Sequence, residues 1–256
     1  MNVVFVGAGR LATQFAQALR DKGNTIETVY SRTLPSAQQL TALVGGEATA
    51  DLDALPLYAD LYILAVKDSA LPLLIPQLVR GREGRPMYHT SGSVPMSVFG
   101  QLRHHGVIYP LQTFSKERRV DFARVPFFIE ANNALSLHVA RLTAEQVSTD
   151  VREMSSDDRR RLHLAAVFAC NFANHCYELG AEVLERAGIG FDALLPLIEE
   201  TAAKVQTMHP RQAQTGPAVR FDEGIISRHL TMLADEPRLR AVYELMSKSI
   251  HETAKQ

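Results

Sequence analysis

The sequence predicts an α/β domain with a mostly parallel sheet, followed by an all-α domain. Three observations carry this. A β-branched strand, Asn2–Val6, ends in Gly7-Ala8-Gly9-Arg10-Leu11-Ala12 and passes at once into a helical pattern. Strand-like and helix-like segments then alternate, as parallel strands joined by right-handed crossovers require. Near residue 154 the character changes, and only helical periodicity follows. The domains are therefore expected at 1–154 and 155–256.

The elements follow in order. Leu11, Phe15, Ala18 and Leu19 recur at helical spacing, and Lys22-Gly23-Asn24 stops that helix. Thr25–Tyr30 is a second strand, and residues 36–44 form a helix closed by Gly45-Gly46. Residues 61–66 are apolar almost throughout, the pattern of a strand buried on both faces. Residues 71–80 read as a helix with Pro72 in its first turn, although Pro76 interrupts it. Further strands fall at 87–90, 107–110 and 126–130. Ser155-Ser156-Asp157-Asp158 opens a long helix running to Ala187-Gly188, because a serine cap and first-turn carboxylates satisfy free N–H groups. Residues 191–208 form the next helix and 209–222 a loop. Residues 223–234 and Pro237–Ala254 are the last helices.

Composition bounds the class. A net charge of −1 over 256 residues gives no general attraction to nucleic acid or to an anionic membrane surface. No run approaches the roughly 18 apolar residues of a membrane span. The start of the chain lacks the basic leader of a signal peptide, so a soluble, cytoplasmic protein is expected. Cys170 and Cys176, six apart on one helix, face different ways and are expected to be free, buried thiols. His104, His105, His138, His209 and His251 show no ligand spacing, and no metal is expected.

The strand–turn–helix setting makes the glycine pattern a Rossmann dinucleotide fingerprint. Gly7 permits the tight turn and Gly9 lets the backbone of Ala8, Gly9, Arg10 and Leu11 approach a pyrophosphate. Ala12 allows close helix–strand packing. At the end of the second strand an NAD site carries an acidic residue for the ribose diol; here stand Ser31, Arg32 and Thr33. A guanidinium and two hydroxyls suit a 2′-phosphate, which selects NADP(H). Glu27 lies mid-strand, too early to reach the ribose. Ala65, Val66 and Lys67 close the apolar strand and should pass beneath the cofactor. Ser91, Gly92 and Ser93 follow another strand and either bind substrate oxygens or make a plain turn.

Val6-Gly-Ala-Gly-Arg-Leu-Ala and Ser31-Arg32-Thr33 resemble the start of pyrroline-5-carboxylate reductases and of the 6-phosphogluconate and 3-hydroxyisobutyrate dehydrogenases. More of the chain resembles a two-domain NADP oxidoreductase family that joins a Rossmann-like domain to a helical domain of unknown function. The phrases are His89-Thr-Ser-Gly-Ser, Tyr109-Pro-Leu-Gln-Thr-Phe and Asn171-Phe-Ala-Asn-His, continuing with Leu195-Pro-Leu-Ile-Glu-Glu-Thr and Gln214-Thr-Gly-Pro-Ala-Val-Arg-Phe-Asp. Some relatives resemble alternative ketopantoate reductases. The resemblance implies hydride transfer to or from a small keto acid or imine, and a homodimer made by the helical domain.

In the related dehydrogenases a lysine and an asparagine on the inter-domain helix serve the chemistry; here no lysine precedes Asn174. His163, Asn171, Asn174 and Glu178 fall within about 80° on an ideal helix, a polar stripe. Asn171 and Asn174 are candidates to orient a carbonyl, and His163 or Lys204 to supply the proton. Thr215 and Arg220 form a second polar group. Arg220 either grips a substrate carboxylate or pairs with Asp222 or Glu223. The alternative class is a regulatory protein that binds NADP(H) without turnover.

Overall fold

A computed structural model describes residues 1–255. Eight strands form one sheet: β1 (Asn2–Val6), β2 (Thr25–Tyr30), β3 (Glu47–Thr49), β4 (Leu61–Leu64), β5 (Met87–His89), β6 (His105–Pro110), β7 (Phe127–Ala131) and β8 (Val151–Glu153). Their order is β3-β2-β1-β4-β5-β6-β7-β8. Every neighbouring pair is parallel except β6 with β7. The order reverses at β1, so the crevice where such sheets bind ligands opens outside its carboxyl end.

Alternation along the central strands builds two cores. Val3 and Phe5 of β1 and Leu61 and Ile63 of β4 face one side, with Phe15, Phe122 and Phe127. Val4, Val6, Tyr62 and Leu64 face the other, with Leu71 and Ile75. The first side is covered by helices α1 (Arg10–Asp21), α2 (Leu34–Val44) and α4 (Ala134–Glu145), and the second by α3 (Leu71–Leu78). Each fully buried Phe, Leu or Ile contributes roughly 1.5–3 kcal/mol. Both faces are covered, which explains the near-continuous apolar run of β4.

Three elements escape the sequence reading. Strands β3 and β8 have three residues each, polar or only half-buried, so they lack the apolar run that marks the equally short β5. Helix α4 has an undistinguished apolar pattern, but Asn133 caps it by accepting the Ser136 N–H at 2.9 Å.

The chain divides into two compact units, Met1–Asn171 and Phe172–Gln256. The change of character at residue 154 thus falls inside the first unit. Helix α5 (Ser156–Ala166) packs there, its Leu162 against Val107, Tyr109 and Phe128. Residues Val167–Phe172 are π-helical, and α6 (Ala173–Arg186) follows. In a π-helix each residue turns less than in an α-helix, because the bonds run i→i+5. The 100° spacing behind the polar stripe of His163, Asn171, Asn174 and Glu178 therefore fails at this point.

The second unit continues with α7 (Leu195–Thr207), α8 (Pro210–Ala213), α9 (Pro217–Arg220), α10 (Glu223–Met232) and α11 (Pro237–Ala254). Two short proline-started helices, α8 and α9, occupy the stretch expected to be a loop. Among the described residues of this unit only Ala218 and Leu239 are buried apolar side chains. Cys170 and Cys176 are free, but both are exposed rather than buried, since this helical run has few buried positions. No helix among the described residues is long and apolar enough to cross a membrane.

Candidate active site

Strands β1, β2, β4, β5 and β6 run the same way, so the segments after them share one edge of the sheet. That edge gathers residues 7–10, 31–33, 65–67, 90–93 and 111–113, all in the first unit.

The glycine turn is built for close approach. Gly7 has φ +117°, and a Cβ there would lie 2.2 Å from the Ala65 carbonyl oxygen. Its N–H donates to the Tyr30 carbonyl at 2.8 Å, which fixes the turn between β2 and β4. Gly9 faces open space, with nothing within 4 Å of where a Cβ would stand. It is also the N-cap of α1 and offers no side-chain cap, and the first turn has no acidic residue. The helix therefore presents free N–H groups and a positive dipole end to an incoming phosphate. Ala12 is fully buried, which sets the helix close on the sheet, while Leu11 packs its side chain against the core.

Ser31, Arg32 and Thr33 follow β2. Arg32 is exposed, and among the described residues no carboxylate pairs with it. Thr33 Oγ1 donates to Ser36 Oγ at 2.8 Å. Glu27 is the extra residue in a bulge, since Val3 pairs with Ile26 and Val4 with Thr28. Ala65 lies half-buried against Gly7, Val66 beside it, and Lys67 is exposed.

The structure brings His163 together with a residue the sequence reading passed over. Tyr109, at the end of β6, places its hydroxyl 3.0 Å from His163 Nδ1, and the imidazole tautomer decides which atom donates. The rings meet edge-on at 74°. Burial pushes the Tyr109 hydroxyl up to about 12, with Arg159 opposing and Asp68 adding to the shift. Tyr109 therefore stays protonated at neutral pH.

Gly92 presses on this pair. A Cβ on Gly92 would stand 2.6 Å from His163 Nδ1 and 2.9 Å from Tyr109 Cζ. The loop is held in that position from two sides. His89 Nδ1 accepts the Ser91 N–H at 3.1 Å, and Ser91 Oγ accepts from Ser93 and Val94 N–H at 3.1 and 3.0 Å. Ser91 thus shapes the loop, whereas the hydroxyl of the half-buried Ser93 makes no hydrogen bond among the described residues. His89 is stacked on Phe99 at 5.7 Å. Burial and the Arg159 charge hold His89 down to about 3, the Pro95 carbonyl pulling the other way, so it is neutral at physiological pH.

On the other side stands a buried clamp. Arg159 has no exposed surface; its guanidinium donates to Glu130 Oε2 at 2.5 Å and to the Val94 carbonyl at 2.7 Å. Ser156 Oγ donates to the same Glu130 oxygen at 2.7 Å and accepts the Met96 N–H at 2.9 Å. These bonds tie α5 to β7 and to the 94–96 loop, and His163 lies one turn beyond Arg159. In the sequence Arg159 stands in the run Arg159-Arg160-Arg161 and carries no predicted role. The available signal was its spacing, four before His163 and three before Leu162, on the packed face of α5.

A pocket of about 570 Å³ is lined by Tyr109, His163, Gln112, Thr113, Cys170 and Asn171. Asn171 is thus beside the Tyr109–His163 pair. The other candidates belong to the second unit. Asn174 is exposed, and Lys204 pairs with Glu200 at 3.5 Å within α7. Thr215 and Arg220 are exposed. Asp222 caps α10 by accepting the Ile225 N–H at 3.1 Å, and among the described residues Arg220 forms no ion pair with it or with Glu223.

Residues 1–114 match the model of a Rossmann-like domain and residues 125–250 that of a domain of unknown function, DUF2520. A solved Bacteroides fragilis protein, BF3122, classed provisionally as an NADP oxidoreductase, is 50% identical, with a TM-score of 0.94 over 98% of both chains. The chain belongs to this two-domain Rossmann–DUF2520 family. A Myxococcus stipitatus imine reductase in complex with NADP+ shares the fold, with a TM-score of 0.73 at 17% identity, covering 100% of this chain and 94% of that one. Among curated proteins, a glutamyl-tRNA reductase of Alkalilimnicola ehrlichii is 29% identical over 73% of this chain and 40% of its own length. The chain spans between 20% and 55% of the length of the curated relatives it matches.

Proposed function

We propose that this Rossmann–DUF2520 chain is an NADP(H)-dependent oxidoreductase that reduces or forms the C=O of a small keto acid, ketopantoate-like, or the C=N of an imine. The observation that carries the reading is the Tyr109–His163 pair, wedged against Gly92 on the same sheet edge as an open, uncapped glycine turn.

The residues fit the cofactor. Gly9 leaves room for a pyrophosphate, the α1 N-terminus supplies N–H groups to hold it, and the unpaired Arg32 with Ser31 and Thr33 suits a 2′-phosphate. When bound, NADPH supplies the hydride and NADP+ accepts it. Asn171 offers an amide to orient the substrate C=O or C=N. As hydride reaches the carbon, the oxygen or nitrogen gains an electron pair and takes a proton from the Tyr109 hydroxyl. His163 Nδ1 stabilises the developing phenolate and returns the proton from solvent. This assignment replaces the lysine of the related dehydrogenases with a tyrosine–histidine pair.

Turnover is tested by following NADPH oxidation over a panel of 2-keto acids and cyclic imines. Tyr109→Phe should lower kcat about 100-fold with NADPH affinity unchanged. Wild-type kcat and an unaltered pH profile in Tyr109→Phe refute the pair as proton source. Tight NADPH binding with no turnover of any panel member favours a regulatory binding protein.

The second unit buries few apolar groups and exposes Leu197, Met232 and Leu245 at 62%, 77% and 68%. A unit this size needs more buried surface than it has alone. A second copy of the chain covers it in this reading, giving a homodimer, which light scattering checks: a monomer mass contradicts it.

A further inference from the structure

A cleft of about 770 Å³ in the first unit lies beside the glycine turn. Arg10 lines it from the start of α1; Arg118, Arg119 and Arg124 line it from the β6–β7 connector, together with Glu117 and Asp121. Arg119 pairs with Asp21, and the Asp121 carboxylate accepts the Ala123 N–H at 3.1 Å. Arg10, Arg118 and Arg124 have no ion pair among the described residues, so three guanidiniums line the cleft with two carboxylates outside any ion pair, Glu117 and Asp121, and positive charge is in excess.

The connector that carries them is fixed. Gln14 of α1 donates to the Ser115 carbonyl at 2.8 Å and accepts the Val120 N–H at 3.1 Å. Phe114 stacks on Phe122 at 5.8 Å, and Phe122 on Phe15 at 5.9 Å. The arginines therefore stand on a scaffold anchored to the core. Gln112 and Thr113 line both this cleft and the pocket of Tyr109 and His163, so the two cavities share a wall.

We propose that the arginine cleft receives an anionic group, a carboxylate or a phosphate, at the distal end of the substrate. Its reacting C=O or C=N then lies at Tyr109. The proposal rests on the oxidoreductase reading, in which the cofactor phosphates already have the α1 N-terminus and residues 31–33. That leaves the connector arginines to the substrate, and a guanidinium binds either anion with two parallel hydrogen bonds.

The test is a calorimetric titration of inorganic phosphate into the NADP+-saturated protein, wild type and Arg118→Ala/Arg124→Ala. Both side chains are exposed, so the double variant should fold. Wild type should bind phosphate, and the double variant should bind it at least about tenfold more weakly, with NADP+ affinity within about twofold. Two results overturn the proposal: no phosphate binding to the NADP+-saturated wild type, or equal binding in the double variant. A large loss of NADP+ affinity in the double variant also overturns it, because the arginines then hold the cofactor. Should the wild type take no NADP+, the oxidoreductase reading fails by itself, and the same titration on the cofactor-free chain decides the cleft.

Discussion

Gly92→Ala adds one carbon where the loop packs against the Tyr109–His163 pair. That carbon would lie 2.6 and 2.7 Å from His163 Nδ1 and Cγ and 2.9 Å from Tyr109 Cζ. Ordinary contact distances begin near about 3.5 Å, so the His163 ring must retreat by roughly 1 Å. A retreat of that size stretches the 3.0 Å Tyr109–His163 bond beyond the range of a hydrogen bond. Overpacking costs about 1–3 kcal/mol and the lost bond about 1 kcal/mol more. At about 2–4 °C per kcal/mol for a chain of this size, Tm should fall by roughly 5–15 °C. Turnover should fall about 100-fold, the usual consequence of a 1 Å misplacement. The assay that needs no substrate is a nitrogen-15 histidine NMR spectrum beside a thermal melt. The His163 Nδ1 resonance should move in Gly92→Ala as it does in Tyr109→Phe. In a His163→Ala background most of the Tm loss from Gly92→Ala should vanish, because the main clash is gone. A melt within about 1 °C of wild type and an unmoved His163 resonance refute the argument that this loop shapes the pair.

Three further outcomes follow from the same geometry. Arg159→Ala leaves the Glu130 carboxylate without its buried partner and should destabilise by about 3–5 kcal/mol in denaturant titrations, while Arg160→Ala on the exposed face should cost little. His89 is held down to about 3 in the folded chain, so below about pH 6.5 the unfolded chain takes up a proton that the folded one refuses. Stability should then fall by at most about 1.4 kcal/mol per pH unit as pH drops from about 6.5 toward 3, and His89→Asn should lessen that slope in melts at pH 7 and 4.5. Gly7→Ala, which drives a methyl into the Ala65 carbonyl at a positive φ, should distort the turn, weaken NADPH binding at least about tenfold and lower Tm.

The fold was legible where periodicity is strong. The strand–glycine–helix start, the four other main parallel strands and the last helix are all readable as apolar patterns broken by Gly, Pro and Asn. Strands β3 and β8 were not, because their three residues are polar or only half-buried, whereas the equally short β5 is buried throughout and reads as an apolar run. The π-helical turn at Val167–Phe172 leaves no sequence signature, and it upset a helix-face argument that assumed 100° throughout.

The candidate site was half legible for a related reason. Gly7 and Gly9 stand out by backbone geometry and Arg32 as an exposed charge with no ion pair among the described residues, and local sequence states all three. Tyr109 and Arg159 act through long-range partners, His163 54 residues away and Glu130 29 residues away, which no local pattern encodes. Ser91 was read as either a substrate contact or part of a plain turn, and its hydroxyl accepts two backbone N–H groups within the loop.

The central claim is that the glycine turn and residues 31–33 hold NADP(H) in preference to NAD(H). The direct measurement is a pair of titrations following the cofactor's own fluorescence, NADPH and NADH, into wild type and Arg32→Ala. NADPH should bind wild type more tightly than NADH, and Arg32→Ala should lose about 1.5–3 kcal/mol for NADPH alone. Equal affinities for the two cofactors, unchanged by the substitution, contradict it.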